Sequence, residues 1–278
     1  MLVFLIPIKS SKVATSWTEL SKLFERCLRS VCNQTSSEFQ VIVVCHERPE
    51  ISFHHPQVHY IEVDFPIPDS TLPEKMKDKR KKLAVGLLAA RELKPTHIMP
   101  VDADDCISKR LASYVAQSPQ SNGWYIDIGY EYQEGSSKIM VRKEAFYKLC
   151  GTCNIINYRL FSLPDKVLGD EPLTGHDNFL EGHPIAKISL AARGTPIEPL
   201  PFPGAIYVRD KIGESTCMQE PLIATFKRNP KQALRGIKKT LLAPFIQREL
   251  TDEIRAEFNL YPLDKYSQLE KNIKCNYS

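Results

Sequence analysis

The chain has no apolar run approaching the 18 residues that a membrane-spanning helix needs, so no such helix is expected. Its N-terminus, Met1–Lys12, lacks a positively charged segment ahead of its short apolar run. It reads as a first strand ended by Pro7 rather than as a secretory leader. Internal repeats and low-complexity tracts are missing, which excludes solenoids and composition-biased linkers. Aromatic residues are not interleaved with basic ones in the body of the chain, so a nucleic-acid partner is not expected. The eight cysteines lack the ligand spacing of a structural zinc site: Cys150-Gly-Thr-Cys153 has no second pair nearby. Without a leader, a reduced, cytoplasmic compartment is the expectation for them.

What is present is ordinary globular composition with an uneven charge. The 278 residues are 42% hydrophobic and 25% charged, enough for a full core. Of the net +4, residues 222–278 carry +5 (11 basic against 6 acidic), which leaves −1 for the first 221. Thr225–Leu242 holds six basic residues and no acid, interleaved with Phe226, Leu234, Ile237, Leu241 and Leu242. Two readings compete for it. One is an interfacial helix at an anionic membrane; the other is an amphipathic helix packed on the domain with its charges in water.

Along the chain, Val3–Ile8, Phe39–Val44 and Val58–Val63 read as strands. Ser16-Trp-Thr-Glu19 forms a capping box for a helix with Leu20, Leu23, Phe24, Cys27, Leu28 and Val31 on one stripe. Pro66, Pro68 and Pro73 mark a loop. Glu74–Lys82, with six basic residues and two acids, leads into a helix expected over Leu83–Leu93. Cations near a helix N-terminus oppose its dipole, which favours an anion bound there over a merely solvated turn. Further expectations are a helix at Lys109–Gln117, a strand at Trp124–Gly129 pairing with Ser137–Val141 through Glu134-Gly135, and a helical stretch at Lys143–Leu149. Cys150–Asn157 reads as small and polar, and Leu163–Gly175 as a loop. A helix at Pro184–Arg193, short strands at Ile197–Leu200 and Ala205–Val208, and a helix at Glu249–Phe258 complete the reading. The alternation of apolar strands and helices predicts an α/β fold with a mostly parallel central sheet and helices on both faces.

The chemistry concentrates at His97–Asp105. An apolar run, Ile98–Val101, ends in Asp102, Asp104 and Asp105. Three acids at the carboxyl end of a buried strand repel one another unless a cation or a ring of donors sits among them. Oxygen ligands of this kind suit Mg²⁺ or Mn²⁺ with a bound phosphate. The competing reading is a solvated acidic turn capping the next helix.

Taken in order, Pro7, Cys27-Leu-Arg-Ser30, Asn33-Gln34, Val41–Val44, Leu83–Leu93, Val101-Asp-Ala-Asp-Asp105, Gly175-His-Asp-Asn178 and Ile206-Tyr-Val-Arg209 resemble the inverting, family-2-like glycosyltransferases of GT-A fold, over residues 3–217. The resemblance implies a transferase that moves a sugar from a nucleoside-diphosphate donor to an acceptor hydroxyl. It implies Asp177 as the general base, and a divalent cation held by Asp104, Asp102, Asp105 and His176. Asp102, Lys82, Asp78, Pro7, Glu47 and Arg209 are implied as donor contacts. His183 is a weaker candidate of the same kind as His176. By family analogy the donor is a uridine diphosphate sugar and the acceptor a saccharide or a lipid-linked one. The family's acid at the end of the second strand is replaced here by Cys45-His46-Glu47. The domain division expected is residues 1–221, with a donor half to about 106 and an acceptor half from about 107, followed by a basic helical extension over 222–278. Peripheral membrane contact is the expectation attached to residues 225–242. The rivals are a haloacid-dehalogenase-like phosphatase, whose Asp-x-Asp normally opens the fold, and a catalytically inactive sugar-nucleotide-binding or scaffold protein.

Overall fold

The structure, a computed structural model, describes residues 1–163, 183–209 and 246–263. In chain order the elements are β1 (Leu2–Pro7), α1 (Trp17–Cys32), β2 (Phe39–Cys45), β3 (Val58–Glu62), α2 (Leu72–Ala90), β4 (His97–Pro100), β5 (Cys106–Ile107), α3 (Leu111–Ala116), β6 (Gly123–Tyr125), β7 (Gly129–Gln133), β8 (Lys138–Arg142), β9 (Asn154–Asn157), α4 (Ile185–Ala192), β10 (Glu198–Pro199), β11 (Ala205–Arg209), β12 (Gln247–Glu249) and α5 (Asp252–Phe258).

Among the described residues the central sheet runs β10-β6-β9-β4-β1-β2-β3. β4, β1, β2 and β3 are mutually parallel, β10 is parallel to β6, and β9 alone runs against its neighbours. The fold is therefore α/β with a largely parallel central sheet. β1 sits between two parallel partners and is buried along its whole length, as a strand covered on both faces must be. Its residues divide by the two-residue period. Leu2, Phe4 and Ile6 pack with Leu20, Phe24, Cys27, Leu28 and Val31 of α1. Val3 and Leu5 join Ile42, Val44, Leu83, Leu87 and Ala90 on the α2 side. The Ser16 hydroxyl accepts from the Glu19 amide and starts α1 as the capping box predicts.

A second sheet, β12-β8-β7-β11-β5, leaves the first directly after the acidic turn. One of its faces carries Tyr130, Tyr132, Ile139, Ile206 and Val208 under Leu250, Ile254, Phe258, Leu260 and Leu263. The described part of the C-terminal stretch thus packs into the second sheet, with β12 antiparallel to β8. Two fully buried polar side chains of α1 pin it there. The Ser30 hydroxyl donates to the Phe258 carbonyl (2.7 Å) and accepts from the Ile107 amide. The Arg26 guanidinium donates to Glu134 (2.7 Å) and to the Tyr261 carbonyl (3.1 Å).

Several expectations are corrected. α2 begins at Leu72, with Pro73 in its first turn, so the basic run lies inside the helix rather than ahead of it. Trp124–Gly129 is not one strand: β6 belongs to the central sheet, and β7 pairs with β8 in the second. The chain turns between them where Asp127 accepts from the Ala145 and Phe146 amides. Gly129 is required at that corner because a Cβ there would lie 2.5 Å from the Phe146 ring. Lys143–Leu149 forms only the 3₁₀ turn Phe146–Lys148, entered through Ala145 at φ 57°. The small polar stretch after Cys150 contains β9, a buried strand. The side-chain amide nitrogens of Asn154 and Asn157 at its ends donate to distant carbonyls of His183, Pro119 and Ser121. Gln247–Glu249 is a strand, and the last described helix begins at Asp252 under a Thr251 cap.

Candidate functional site

Because β4, β1 and β2 run parallel, their carboxyl ends share one edge of the sheet. Ligands of open α/β sheets bind along such an edge. The edge presents Asp102 after β4, Ile8 and Ser10 after β1, and His46 and Glu47 after β2. Pro7 is the buried last residue of β1 and lines up with Val44 of β2.

The chain folds back on itself at the acidic turn, where the Asp105 amide donates to the Asp102 carbonyl. Asp102 is partly exposed and forms an ion pair with Lys79 of α2. Its amide donates to the Thr152 hydroxyl (2.9 Å). Gly151 lies against the same carboxylate, and a Cβ there would meet Asp102 Oδ2 at 2.6 Å. Asp105 is fully buried. One carboxylate oxygen accepts from the Thr152 hydroxyl (2.6 Å) and the Cys150 thiol (3.0 Å), and the other accepts from the Val208 amide (3.2 Å). Asp105 thereby ties the turn to β11 and to the Cys150–Cys153 loop. Asp104 is half-buried between them. Burial, then the adjacent Asp102 charge, raises its pKa to about 7. Burial also pushes Asp105 well up, with Asp104 and Asp102 adding to it. Lys79 is held charged: packing opposes its charge, but Asp102, with Asp104 and Asp105, outweighs it.

α2 supplies a second buried pair. The Lys82 ammonium, fully buried, donates to Asp78 (2.7 Å) and to the Ile8 carbonyl (2.6 Å) at the end of β1. Lys82, Asp78 and Lys79 share one face of the helix by their three- and four-residue spacing. The Nε2 of His46 lies 3.0 Å from the Phe65 carbonyl and 3.9 Å from Asp78. A cleft of about 200 Å³ opens beside this group, bounded by Pro66–Asp69, Lys77, Asp78 and Lys81. Glu47 turns towards β1 and accepts from the Ser10 hydroxyl and the Ser11 amide. Burial alone would raise its pKa, but those hydrogen bonds prevail and hold it below the usual carboxylate range.

Arg209, at the end of β11, pairs with Glu131 (2.7 Å). His183 Nδ1 meets the Tyr147 carbonyl. Asp177, His176 and residues 225–242 lie outside the described residues. The structure thus brings Asp102, Asp104 and Asp105 together and sets Lys82 and Asp78 on the adjoining strand end, while Glu47 and Arg209 each face a different partner. Sequence reading missed Lys79, Thr152 and Gly151. The signal for Lys79 was its helical phase with Lys82; Thr152 and Gly151 sat between two cysteines whose spacing was weighed only as a zinc or redox half-motif and set aside. Cys150 and Cys153 are free and buried, and burial pushes both thiols well above their usual pKa.

Whether these residues suit a divalent cation is decided by their donor set. Asp102 and Asp104 offer hard oxygens, and their mutual repulsion is what a cation relieves. Gly151 keeps the space at Asp102 Oδ2 clear of a side chain. Asp105 has both oxygens engaged by the protein. Among the described residues no group of three or more His, Cys, Asp or Glu is placed to hold a metal alone. The set fits Mg²⁺ or Mn²⁺ that takes its remaining oxygens from a substrate's phosphates. No helix among the described residues is long and apolar enough to cross a membrane.

No family model matches the chain, and no curated protein matches it. Among solved structures, S. aureus TarS superimposes with a TM-score of 0.43 at 14% identity, over 75% of this chain and 36% of that one. A shorter form, TarS 1-349, gives 0.40 at 14% identity, over 74% and 60%. A 4-diphosphocytidyl-2C-methyl-D-erythritol synthase gives 0.33 at 15% identity, over 82% and 96%. The chain therefore spans about a third of the TarS structure and 60% of its shorter form. With TM-scores below 0.5, none of these likenesses bears weight, and the fold rests on its own strand order and register.

Proposed function

We propose that the protein is a divalent-cation-dependent glycosyltransferase of GT-A type, using a nucleoside-diphosphate sugar and an acceptor hydroxyl. The observation that carries the reading is the acidic turn at the carboxyl end of β4, with Lys79 of α2 set against Asp102. Two partly exposed carboxylates, Asp102 and Asp104, crowded beside the buried Asp105 with a lysine next to them, suit a phosphate-bound cation and a diphosphate.

In this reading Asp102 and Asp104 hold Mg²⁺ or Mn²⁺, and Asp105 braces the turn. The cation, when bound, supplies positive charge to a departing nucleoside diphosphate. Lys79 adds an ammonium beside that charge, and Asp102 fixes where the ammonium points. Lys82 and Asp78 set the position of the Ile8 carbonyl and with it the loop after β1. The acceptor hydroxyl gives up its proton to a carboxylate base, assigned from the resemblance to Asp177. The acceptor oxygen bonds to the anomeric carbon as the bond to the diphosphate oxygen breaks, with inversion. A uridine diphosphate donor and a saccharide or lipid-linked acceptor are the substrates proposed, with peripheral membrane contact through residues 225–242.

The test is a calorimetric titration of uridine diphosphate with and without Mn²⁺. Binding that needs the metal and falls at least about tenfold in Asp104→Ala is expected, since charged contacts of this kind carry roughly 1.5–3 kcal/mol. Metal-independent binding, or an Asp104→Ala protein that binds as wild type does, would refute the assignment. A response to vanadate or fluoroberyllate with none to nucleotides would favour a phosphatase.

A further inference from the structure

Glu131 is a carboxylate in the second sheet, only 3% exposed, and two guanidinium groups converge on it. Arg142 of β8 engages one oxygen through Nε, and Arg209 of β11 engages the other through Nη2 at 2.7 Å. The register explains the meeting. Glu131 lies opposite Tyr207 on β11, two residues from Arg209, and diagonal to Arg142 on β8. All three therefore share one face of the sheet. Arg142 and Arg209 keep 31% and 27% of their side chains exposed. One buried carboxylate thus holds two partly solvated guanidiniums, and each guanidinium has more planar N–H donors than the one that meets Glu131.

The pair also borders the acidic turn. β11 runs antiparallel to β5, with Ile206 opposite Cys106, and the Val208 amide donates to Asp105. Arg209 follows immediately. Asp102 faces α2 and Lys79 on one flank of the turn; β11 with Arg209 lies on the other, and Arg142 of β8 joins it through Glu131.

We infer that Arg142 and Arg209, held by Glu131, form an oxyanion site for a phosphate or carboxylate group carried by the second substrate. The site lies beside the acidic turn, opposite the α2 flank that the proposed reading gives to the donor. Placing that group on the acceptor rests on the glycosyltransferase reading; the anion site itself does not. Two planar guanidinium forks match an oxyanion with paired hydrogen bonds, which an ammonium does not.

The experiment titrates the whole chain calorimetrically with glycerol 3-phosphate, as the acceptor-side probe, and with uridine monophosphate, as the donor-side probe. Wild type, Arg142→Gln and Arg142→Lys are compared, and far-UV circular dichroism checks that each is folded. Glycerol 3-phosphate binding weaker by about tenfold or more in Arg142→Gln is expected, with an intermediate value in Arg142→Lys and uridine monophosphate affinity within about twofold of wild type. No binding of glycerol 3-phosphate to wild type, or equal binding to all three, overturns the proposal. A parallel loss of uridine monophosphate binding also overturns it, by giving the arginines to the donor. If wild type binds glycerol 3-phosphate through Arg142 but fails the titration of uridine diphosphate with Mn²⁺, the oxyanion site stands and the transferase reading falls.

Discussion

Gly151→Ala tests the acidic turn without changing its charge. The added Cβ would lie 2.6 Å from Asp102 Oδ2 and 3.2 Å from its Cγ. Ordinary carbon–oxygen contacts lie at about 3.3–3.6 Å, so the oxygen must retreat by about 0.7 Å. Asp102 can move, because it is the end of a side chain, but the move carries it away from its place beside Lys79 and Asp104. A displacement near 1 Å at a reacting centre costs on the order of 100-fold in rate, equivalent to about 2.7 kcal/mol. The backbone has no such penalty: Gly151 does not require the left-handed region. The expected outcome is a melting temperature close to wild type, with Mn²⁺-dependent binding of uridine diphosphate and turnover of the donor both reduced, turnover by about 100-fold. Calorimetry and a coupled assay for released nucleoside diphosphate would read the two effects. A variant that binds and turns over as wild type does would show that the position of Asp102 is immaterial, and the site assignment would fail with it.

Two stability predictions follow from buried groups. Burial lowers the His97 pKa to about 4 from 6.5, so between those values the unfolded chain binds a proton that the folded chain does not. Stability from this group is complete above pH 6.5 and is lost as pH falls, by about 2 kcal/mol at pH 5 and about 3 kcal/mol by pH 4; urea unfolding across this range should be flatter in His97→Gln, and equal slopes would refute the assignment. Lys82→Met strands the Asp78 carboxylate and the Ile8 carbonyl, and a cost of about 3–5 kcal/mol is expected in denaturant unfolding. A loss below about 1 kcal/mol would mean that the pair is solvated.

The parts legible in the sequence were those whose signal is local. β1 and α1 declare themselves because burial on both faces and the helical stripe leave a period in the residues themselves. The acidic turn was legible because three carboxylates at a strand end are chemically conspicuous. What Asp105 does there was not, since its partners Cys150, Thr152 and Val208 lie 45, 47 and 103 positions away. β9 escaped because its terminal asparagines look like loop residues until distant carbonyls accept from them. Lys79 was hidden among six basic residues, and only the true start of α2 gives it a phase relative to Lys82.

The way residues 246–263 close the second sheet also bears on how the protein comes to be assembled. Ser30 meets Phe258 across 228 positions and Arg26 meets Tyr261 across 235. While the chain is being made, β1 to β4 and their helices can collapse together, yet the face bearing Tyr130, Tyr132, Ile206 and Val208 lacks its cover of Leu250, Ile254, Phe258, Leu260 and Leu263 until the last of these residues emerges. Long-range closure of this kind is slow, and the uncovered interval is when self-association competes with folding. A chain that stops short of Phe258 should therefore emerge with that apolar face lacking part of its cover, and with Ser30 and Arg26 each missing a carbonyl acceptor.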